Sequence, residues 1–334
     1  MNISTDKQMK QLLAAGLELP HHLSERAVTL TPFQPDVDGE FVLYWAHHAL
    51  RSHENPALET AASLARQLDI PLLVYQGLGG RHRYNSDRHH RFILESARDF
   101  SGQLASVGQR LHFHLPTDPS APAPLRDLLE RAAVVVSELY PVPPFPRWTR
   151  QHSQAHPNLP WLMLDASLVL PMPTLARRPT RAFQFRKANQ EEIDRRVKAG
   201  WPEFTEWPES FDGHPGFEPF NFDNALAPAI ATCRIDHSIP PVSSTPGGTE
   251  AGYQRWSSFL NSGLAHYHRL RNDATQTTAV SRMSAYLHYG CVSALRLAQD
   301  ASEHGGEGAD KFLDELLTWR ELSHHFCYHT ESLE

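Results

Sequence analysis

Short apolar segments alternate with segments of helical periodicity between residues 41 and 164, and this alternation restricts the fold more than any other feature of the chain. The apolar segments are typical of strands buried on both faces of a sheet. Strands that alternate with helices pair in parallel through right-handed crossovers. The predicted strands cover 41–45, 70–75, 111–115, 134–139 and 161–164.

The segments between these strands carry helix boundary signals. Asn55 and Pro56 supply an N-cap and a first-turn proline, and apolar residues follow at helical spacing. Ser86 or Asp87 caps a second helix, which Gly108 ends. These signals predict a doubly wound α/β domain.

Changes in composition divide the 334 residues into four parts. A polar segment covers 1–38, and the α/β domain covers 39–170. Residues 171–248 are rich in proline, glycine and aromatic residues with little periodicity, which predicts a long connector on the surface. From 249 to 334 helical patterns alone follow, beginning with a cap at Thr249, so the second domain is predicted to be all-helical.

The formal charge of −7 argues against a protein that binds nucleic acid over its whole surface. The charge is uneven, however. Residues 176–198 hold eight Lys and Arg against three acids, whereas residues 201–250 are strongly acidic. A local basic stripe can bind phosphates although the whole chain is acidic. A solvated helix face explains the same stripe equally well.

The chain has the composition of a globular cytoplasmic protein. Its apolar runs are far shorter than the roughly 20 residues of a membrane helix, and residues 1–19 lack the apolar core of a signal peptide. Cys233, Cys291 and Cys327 have neither disulfide nor metal spacing, so we expect reduced thiols.

Several common site motifs are excluded. Gly77 and Gly79 follow a strand, but His82 stands where a dinucleotide fingerprint needs its third glycine. His112 and His114 lie on one face of a strand, yet no third ligand can be placed from the sequence, so no metal site is predicted.

One motif offers phosphate-binding chemistry. Ser281, Arg282 and Ser284 place two hydroxyls and a guanidinium where a helix begins, together with free backbone N–H groups. Taken alone, an ordinary helix cap with a surface arginine is the simpler interpretation.

Three segments together resemble the photolyase/cryptochrome family. Residues 44–58 (YWAHHALRSHENPAL) resemble the opening strand and turn of that family. Residues 280–290 (VSRMSAYLHYG) resemble its FAD-phosphate loop, and residues 312–322 (FLDELLTWREL) resemble the helix that faces the DNA lesion. The spacing in the last segment is most similar to that of class II photolyases, which act on cyclobutane pyrimidine dimers.

The resemblance implies a role for seven residues. Tyr267 and Arg271 would lie against the FAD diphosphate, and Ser281, Arg282 and Ser284 would cradle it. Glu315 would hydrogen-bond the paired pyrimidines, and Trp319 would line the pocket that receives them. Helical spacing places residues 315, 319 and 322 on one face, which agrees with this assignment.

The resemblance also implies an activity and its partners. Reduced FAD excited by light would split the cyclobutane dimer in UV-damaged DNA, with the lesion flipped out of the duplex. A second antenna chromophore, a folate or a deazaflavin, is expected in the α/β domain, and the protein is expected to be a monomer. A cryptochrome-like light sensor is the alternative.

The helical domain is expected to be incomplete. In the family, further helices supply the rest of the flavin pocket, and none of their residues is found in this sequence. A helical domain of about 85 residues buries little surface. A fragment that binds neither flavin nor DNA is therefore a third alternative.

Overall fold

The computed structural model describes residues 16–34, 38–79, 81–116 and 123–331, with the backbone alone for 81–83. Its first part is built on a six-stranded sheet of order β1-β7-β6-β2-β3-β5, and β4 and β8 form a separate pair. The strands are β1 (Ala27–Thr29), β2 (Phe41–Trp45), β3 (Leu72–Gly77), β4 (Arg81–Ser86), β5 (Leu111–His114), β6 (Ala132–Glu138), β7 (Trp161–Leu164) and β8 (Arg234–Asp236).

The predicted parallel sheet is confirmed. β2 pairs in parallel with β3 and β6, β3 with β5, and β6 with β7. The five predicted strands are present with ends within two residues of the expected ones. β1 adds an antiparallel edge next to β7 from within the predicted polar segment. Residues 1–15 and 35–37 of that segment lie outside the described residues.

The helices surround the sheet and then form the second part of the chain. They are α1 (His21–Ser24), α2 (Pro56–Leu68), α3 (Asp87–Ser106), α4 (Leu125–Arg131), α5 (Phe145–Ala155), α6 (Ala182–Ala199), α7 (Leu226–Ala231), α8 (Thr249–Ser262), α9 (Tyr267–Leu270), α10 (Ser284–His288), α11 (Ala294–His304), α12 (Gly306–Asp314) and α13 (Glu321–Tyr328). A π-helical turn, Glu315–Arg320, joins α12 to α13. From Thr249 onward the regular structure of the described residues is helical, as predicted.

The predicted connector contains an 18-residue helix, α6, that the sequence pattern did not indicate. Three of its side chains are buried, namely Phe185, Ile193 and Val197. α6 packs against α11 and against the π-helical turn. The basic stripe of 176–198 therefore lies beside the second part of the chain.

The two parts of the chain meet closely between the end of β2 and α10. Gly290 has a φ of +64°, and its α-carbon lies against the backbone of His48 and Ala49, where a side chain would collide. The Leu50 amide donates to the Tyr289 carbonyl at 3.2 Å. The guanidinium of Arg51 donates to the Gly290 carbonyl at 2.9 Å. Main-chain contacts and the Arg51 side chain thus fix the second part against the carboxyl end of the sheet.

Within the described residues, no helix has the length and apolar character needed to span a bilayer.

The cap of α2 is the most strongly predicted local feature, and the structure confirms it. The side chain of Asn55 is fully buried and accepts a hydrogen bond from the Leu58 amide at 3.1 Å. Its amide group also donates to the carbonyls of Ala49 and Arg51, both at 2.9 Å. The same residue therefore caps the helix and shapes the turn that carries the interdomain contacts.

Replacement of Asn55 by Ala should destabilise the protein by about 2–4 kcal/mol, because a cap is lost and two buried carbonyls lose their donor. Urea unfolding followed by circular dichroism measures this change. The matched control is Asn261→Ala on the exposed side of α8, which should change stability by less than about 0.5 kcal/mol. Equal effects of the two substitutions would contradict the role given to Asn55.

Candidate functional site

A segment that we call the strap, residues 280–284, connects to α10 and forms one side of a cavity. Arg282 has a φ of +54°, an uncommon value for a residue other than glycine. Such strained backbone is found where a fold holds a ligand-binding segment in place. The Met283 amide points to the Ser281 hydroxyl at 3.4 Å. α10 has only five residues, so the strap offers its hydroxyls and guanidinium rather than the dipole of a long helix.

The cavity has a volume of about 570 Å³, which is within the usual range for small-molecule and cofactor sites. Its wall combines hydroxyl, cationic, imidazole and apolar groups. The lining residues are Tyr140, Tyr267, Val280, Ser281, Arg282, Met283, Ser284, Leu287, His288, Phe312, Glu315, Leu316, Arg320 and His324. A second cavity of about 480 Å³ lies beside the first, and Val280, Ser281 and Arg282 line both.

Five of the seven residues singled out from the sequence line the first cavity. They are Tyr267, Ser281, Arg282, Ser284 and Glu315. Arg271 lies behind this wall and contacts it through Glu315, with 3.5 Å between Arg271 Nε and Glu315 Oε1. Lys311 Nζ lies 2.7 Å from the same carboxylate oxygen, and its bonds to Asp314 and Glu315 raise the pKa of Lys311. Glu315 is thus held by two cations at the cavity edge.

Trp319 does not line this cavity, in contrast to the expectation from helical spacing. Trp319 is 49% exposed. The reason is the π-helical turn, in which residues five apart lie over one another instead of residues four apart. Arg320 consequently faces the cavity together with Glu315. The regular α-helix predicted from the sequence over these residues is wrong.

The first part of the chain contributes a wall that was not predicted from the sequence. Tyr140 follows β6, and its hydroxyl lies 3.1 Å from His288 Nδ1. The Tyr140 ring stacks on the buried His48 at 3.7 Å between centroids. Burial lowers the pKa of His324 to about 3 and raises the pKa of Tyr140, so both are neutral near pH 7. Tyr140 lies two residues beyond the end of β6. This position could have identified it from the sequence, because residues after the carboxyl ends of parallel strands face ligands in doubly wound folds.

His47 and His48 connect this wall to the sheet. Their Nδ1 atoms lie 2.8 Å apart, and His47 Nε2 lies 3.1 Å from Glu138 Oε2. Burial lowers the pKa of both imidazoles, His48 more than His47. Among the described residues, no cluster of three or more His, Cys, Asp or Glu side chains is arranged to hold a metal ion.

The doubly wound sheet followed by helices, with the strap-lined cavity where the two parts meet, has counterparts among known proteins. The DNA photolyase family model matches residues 42–203. Residues 42–203 therefore form a DNA photolyase domain, and most of the chain is similar in sequence to deoxyribodipyrimidine photo-lyases and in fold to a cryptochrome and a photolyase of known structure.

Individual relatives share the sequence, and individual solved structures share the fold. The deoxyribodipyrimidine photo-lyase of Methanothermobacter thermautotrophicus is 30% identical over 309 residues, which cover 92% of this chain and 66% of that protein. The enzyme of Oryza sativa subsp. japonica is 29% identical over 317 residues, with coverage of 87% and 59%. The crystal structure of Synechocystis sp. PCC6803 cryptochrome superimposes with a TM-score of 0.66 at 17% identity, covering 86% of this chain and 61% of that one. That of a class III photolyase from Agrobacterium tumefaciens gives a TM-score of 0.62 at 17% identity, with coverage of 90% and 61%.

The chain therefore spans between 59% and 66% of the length of these relatives.

Proposed function

We propose that the chain binds FAD in the strap-lined cavity and takes part in the light-driven repair of cyclobutane pyrimidine dimers in DNA. The observation that carries this proposal is the convergence of five motif residues from separate segments on one cavity. The relatives named above, which are deoxyribodipyrimidine photo-lyases, support it.

The cavity has groups for both ends of FAD. The hydroxyls of Ser281 and Ser284 and the guanidinium of Arg282 suit a diphosphate. Leu287, Leu316 and other apolar side chains of the wall suit a planar ring system. Reduced FAD supplies, when bound and excited by light, the electron that opens the cyclobutane ring. The residues of the chain hold the cofactor and the lesion and keep water out.

Glu315 and Trp319 are proposed to receive the lesion. Glu315 presents a carboxylate at the cavity edge that can accept hydrogen bonds from the base edges. The exposed indole of Trp319 offers a stacking surface to an extruded base. Exposed basic residues of the stripe at 176–198, including Arg177, Arg181 and Lys187, are proposed to contact DNA phosphates.

The test uses the purified chain loaded with FAD and reduced, mixed with a duplex that contains one thymine dimer. Blue light should remove the dimer, and a dark sample should keep it, as read by chromatography of the digested DNA. Flavin binding without repair would favour the light-sensor alternative. Absence of flavin binding would contradict the proposal as a whole.

Glu315→Ala should lower the repair of bound dimers by about tenfold or more, because a hydrogen bond to the lesion is worth about 1.5 kcal/mol or more when a charged group makes it. Glu303→Ala on the exposed side of α11 is the control. Single-turnover repair at saturating DNA separates this effect from binding. Unchanged repair by Glu315→Ala would show that Glu315 does not bind the lesion.

A further inference from the structure

Arg320 is the charged group of the cavity wall that neither the motifs nor the proposed roles explain. Its Nη1 donates to the Ser167 carbonyl at 2.9 Å. Among the described residues neither Nε nor Nη2 has an acceptor, neither atom is fully buried, and Arg320 lines the cavity. A mostly buried guanidinium therefore keeps free donors on the side where a ligand would lie.

The loop that holds Arg320, residues 165–170, is built to be rigid. Asp165 is fully buried and accepts from the amides of Ser167 and Leu168 at 2.9 and 3.2 Å. Glu321, also fully buried, accepts from the amides of Val169 and Leu170 at 2.6 and 3.0 Å. Because the Ser167 carbonyl is fixed by this loop, the guanidinium that it holds is fixed as well.

The charges around Arg320 favour a neutral acceptor over a phosphate. Burial lowers the pKa of Arg320, and the nearby Glu321 and Asp165 oppose this effect, so the guanidinium stays charged. A diphosphate at this place would approach the two acidic residues and be repelled by their ionised forms. A neutral carbonyl oxygen meets no such repulsion.

The other residues of the cavity wall suit a planar heteroaromatic ring. Leu287 and Leu316 provide apolar surface, and Tyr140, His288 and His324 provide neutral rings and polar edges. His324 Nδ1 lies 3.0 Å from the Arg320 carbonyl. The Ser281 hydroxyl and the Arg282 guanidinium of the strap, by contrast, belong to the wall shared with the second cavity.

We propose that Arg320 is a ligand-binding residue of the cavity, whose free guanidinium N–H groups donate to the carbonyl edge of the flavin ring. This inference rests on the proposed binding of FAD and adds a residue that recognises the ring rather than the diphosphate.

The experiment compares three probes in the dark: FAD, riboflavin, which lacks the diphosphate, and ADP, which lacks the ring. Dissociation constants are measured for the wild-type chain, Arg320→Met, Arg320→Lys and the control Arg126→Met. Arg126 is an exposed residue of α4 paired with Glu130. Circular dichroism checks that each variant is folded.

Arg320→Met should weaken the binding of FAD and riboflavin by roughly 10- to 100-fold, which is the size of a buried hydrogen bond from a charged donor. The dissociation constant of ADP should stay within about twofold of the wild-type value. Arg320→Lys keeps the charge and should recover part of the loss. Arg126→Met should bind all three probes as the wild type does. The flavin absorption band should also shift between the wild type and Arg320→Met, because a donor at the ring carbonyl is removed.

Other outcomes overturn the inference in distinguishable ways. Unchanged binding of FAD and riboflavin by folded Arg320→Met would refute the role of Arg320 alone. An equal loss for ADP would place Arg320 at the diphosphate or give it a general structural role. Failure of the wild-type chain to bind FAD and riboflavin would overturn both this inference and the proposed function.

Discussion

Lowering the pH from about 7.5 to about 5 should remove roughly 4 kcal/mol of the free energy of unfolding, mainly because neutral histidines are buried in the fold. His90, His112 and His325 are at most 1% exposed. Burial lowers the pKa of each imidazole to about 4. The unfolded chain takes up a proton at such a histidine below about pH 6.5, whereas the folded chain does so only near pH 4. The contribution of the imidazole to stability is therefore complete above about pH 6.5 and is lost as the pH falls toward 4.

The value of about 4 kcal/mol is the sum over these three histidines and the opposing Glu321. His53 and His324, whose burial lowers the pKa to about 4 and to about 3, add to the loss. At pH 5 each of the three histidines has lost about 2 kcal/mol. Burial raises the pKa of Glu321 to about 7, so its contribution changes in the opposite direction. The contribution of Glu321 to stability is present below its unfolded pKa and is lost as the pH rises toward 7. Acidification from pH 7.5 to 5 therefore raises the free energy of unfolding by about 2 kcal/mol through this group. Since domains of this kind are stable by about 5–15 kcal/mol, the net loss is large.

Urea unfolding at the two pH values measures this loss. His325 Nε2 bonds to the Leu170 carbonyl at 3.2 Å, and a glutamine amide can replace that donor. His325→Gln should therefore lessen the acid sensitivity by about 2 kcal/mol, whereas His266→Gln at an exposed position should not. A wild-type chain equally stable at both pH values would contradict the burial of these imidazoles.

Arg26→Met should destabilise the chain by about 3–5 kcal/mol, the usual cost of removing one partner from a buried ionic cluster. Arg26 is 5% exposed. Its guanidinium donates to the carbonyls of Asp165, Leu168 and Val169 at 3.1, 2.7 and 3.1 Å. Methionine has a similar length but no donor, so the three carbonyls and the buried Asp165 lose their partner.

A surface ion pair provides the matched control for this substitution. Arg66 pairs with Glu206, and both side chains are more than half exposed. Arg66→Met should cost less than about 1 kcal/mol. Arg26→Lys should recover only part of the loss, because an ammonium cannot reach three carbonyls as a planar fork does. An Arg26→Met chain within about 1 kcal/mol of the wild type would show that the cluster does not stabilise the loop.

The elements that the sequence predicted well are those specified by local signals. The cap at Asn55 and the apolar runs of β2 and β7 need no tertiary information, and their positions were correct. β1 was missed because three residues at a sheet edge carry almost no periodic signal. α6 was missed because only three of its 18 residues are buried, so its apolar stripe is too thin to be recognised.

The sequence predicted the motifs of the candidate site, but not how its side chains are arranged around the cavity. The strap was found because hydroxyls and an arginine stand together in the sequence. At the π-helical turn, Arg320 and the adjacent Glu321 bind the 165–170 loop, more than 150 residues away, and no local pattern reports such a contact. Arg320, Tyr140 and His324 were missed for the same reason. The domain boundaries, class II specificity, the antenna chromophore, the monomeric state and the cytoplasmic location stay predictions.

The most direct test of the central claim is the absorption spectrum of the purified chain after incubation with FAD and removal of the unbound cofactor. We predict a retained flavin band in the wild-type chain, and loss of that band in a folded variant with Ser281→Ala, Arg282→Ala and Ser284→Ala combined. A folded wild-type chain that retains no flavin would contradict the assignment of the cavity as the FAD site.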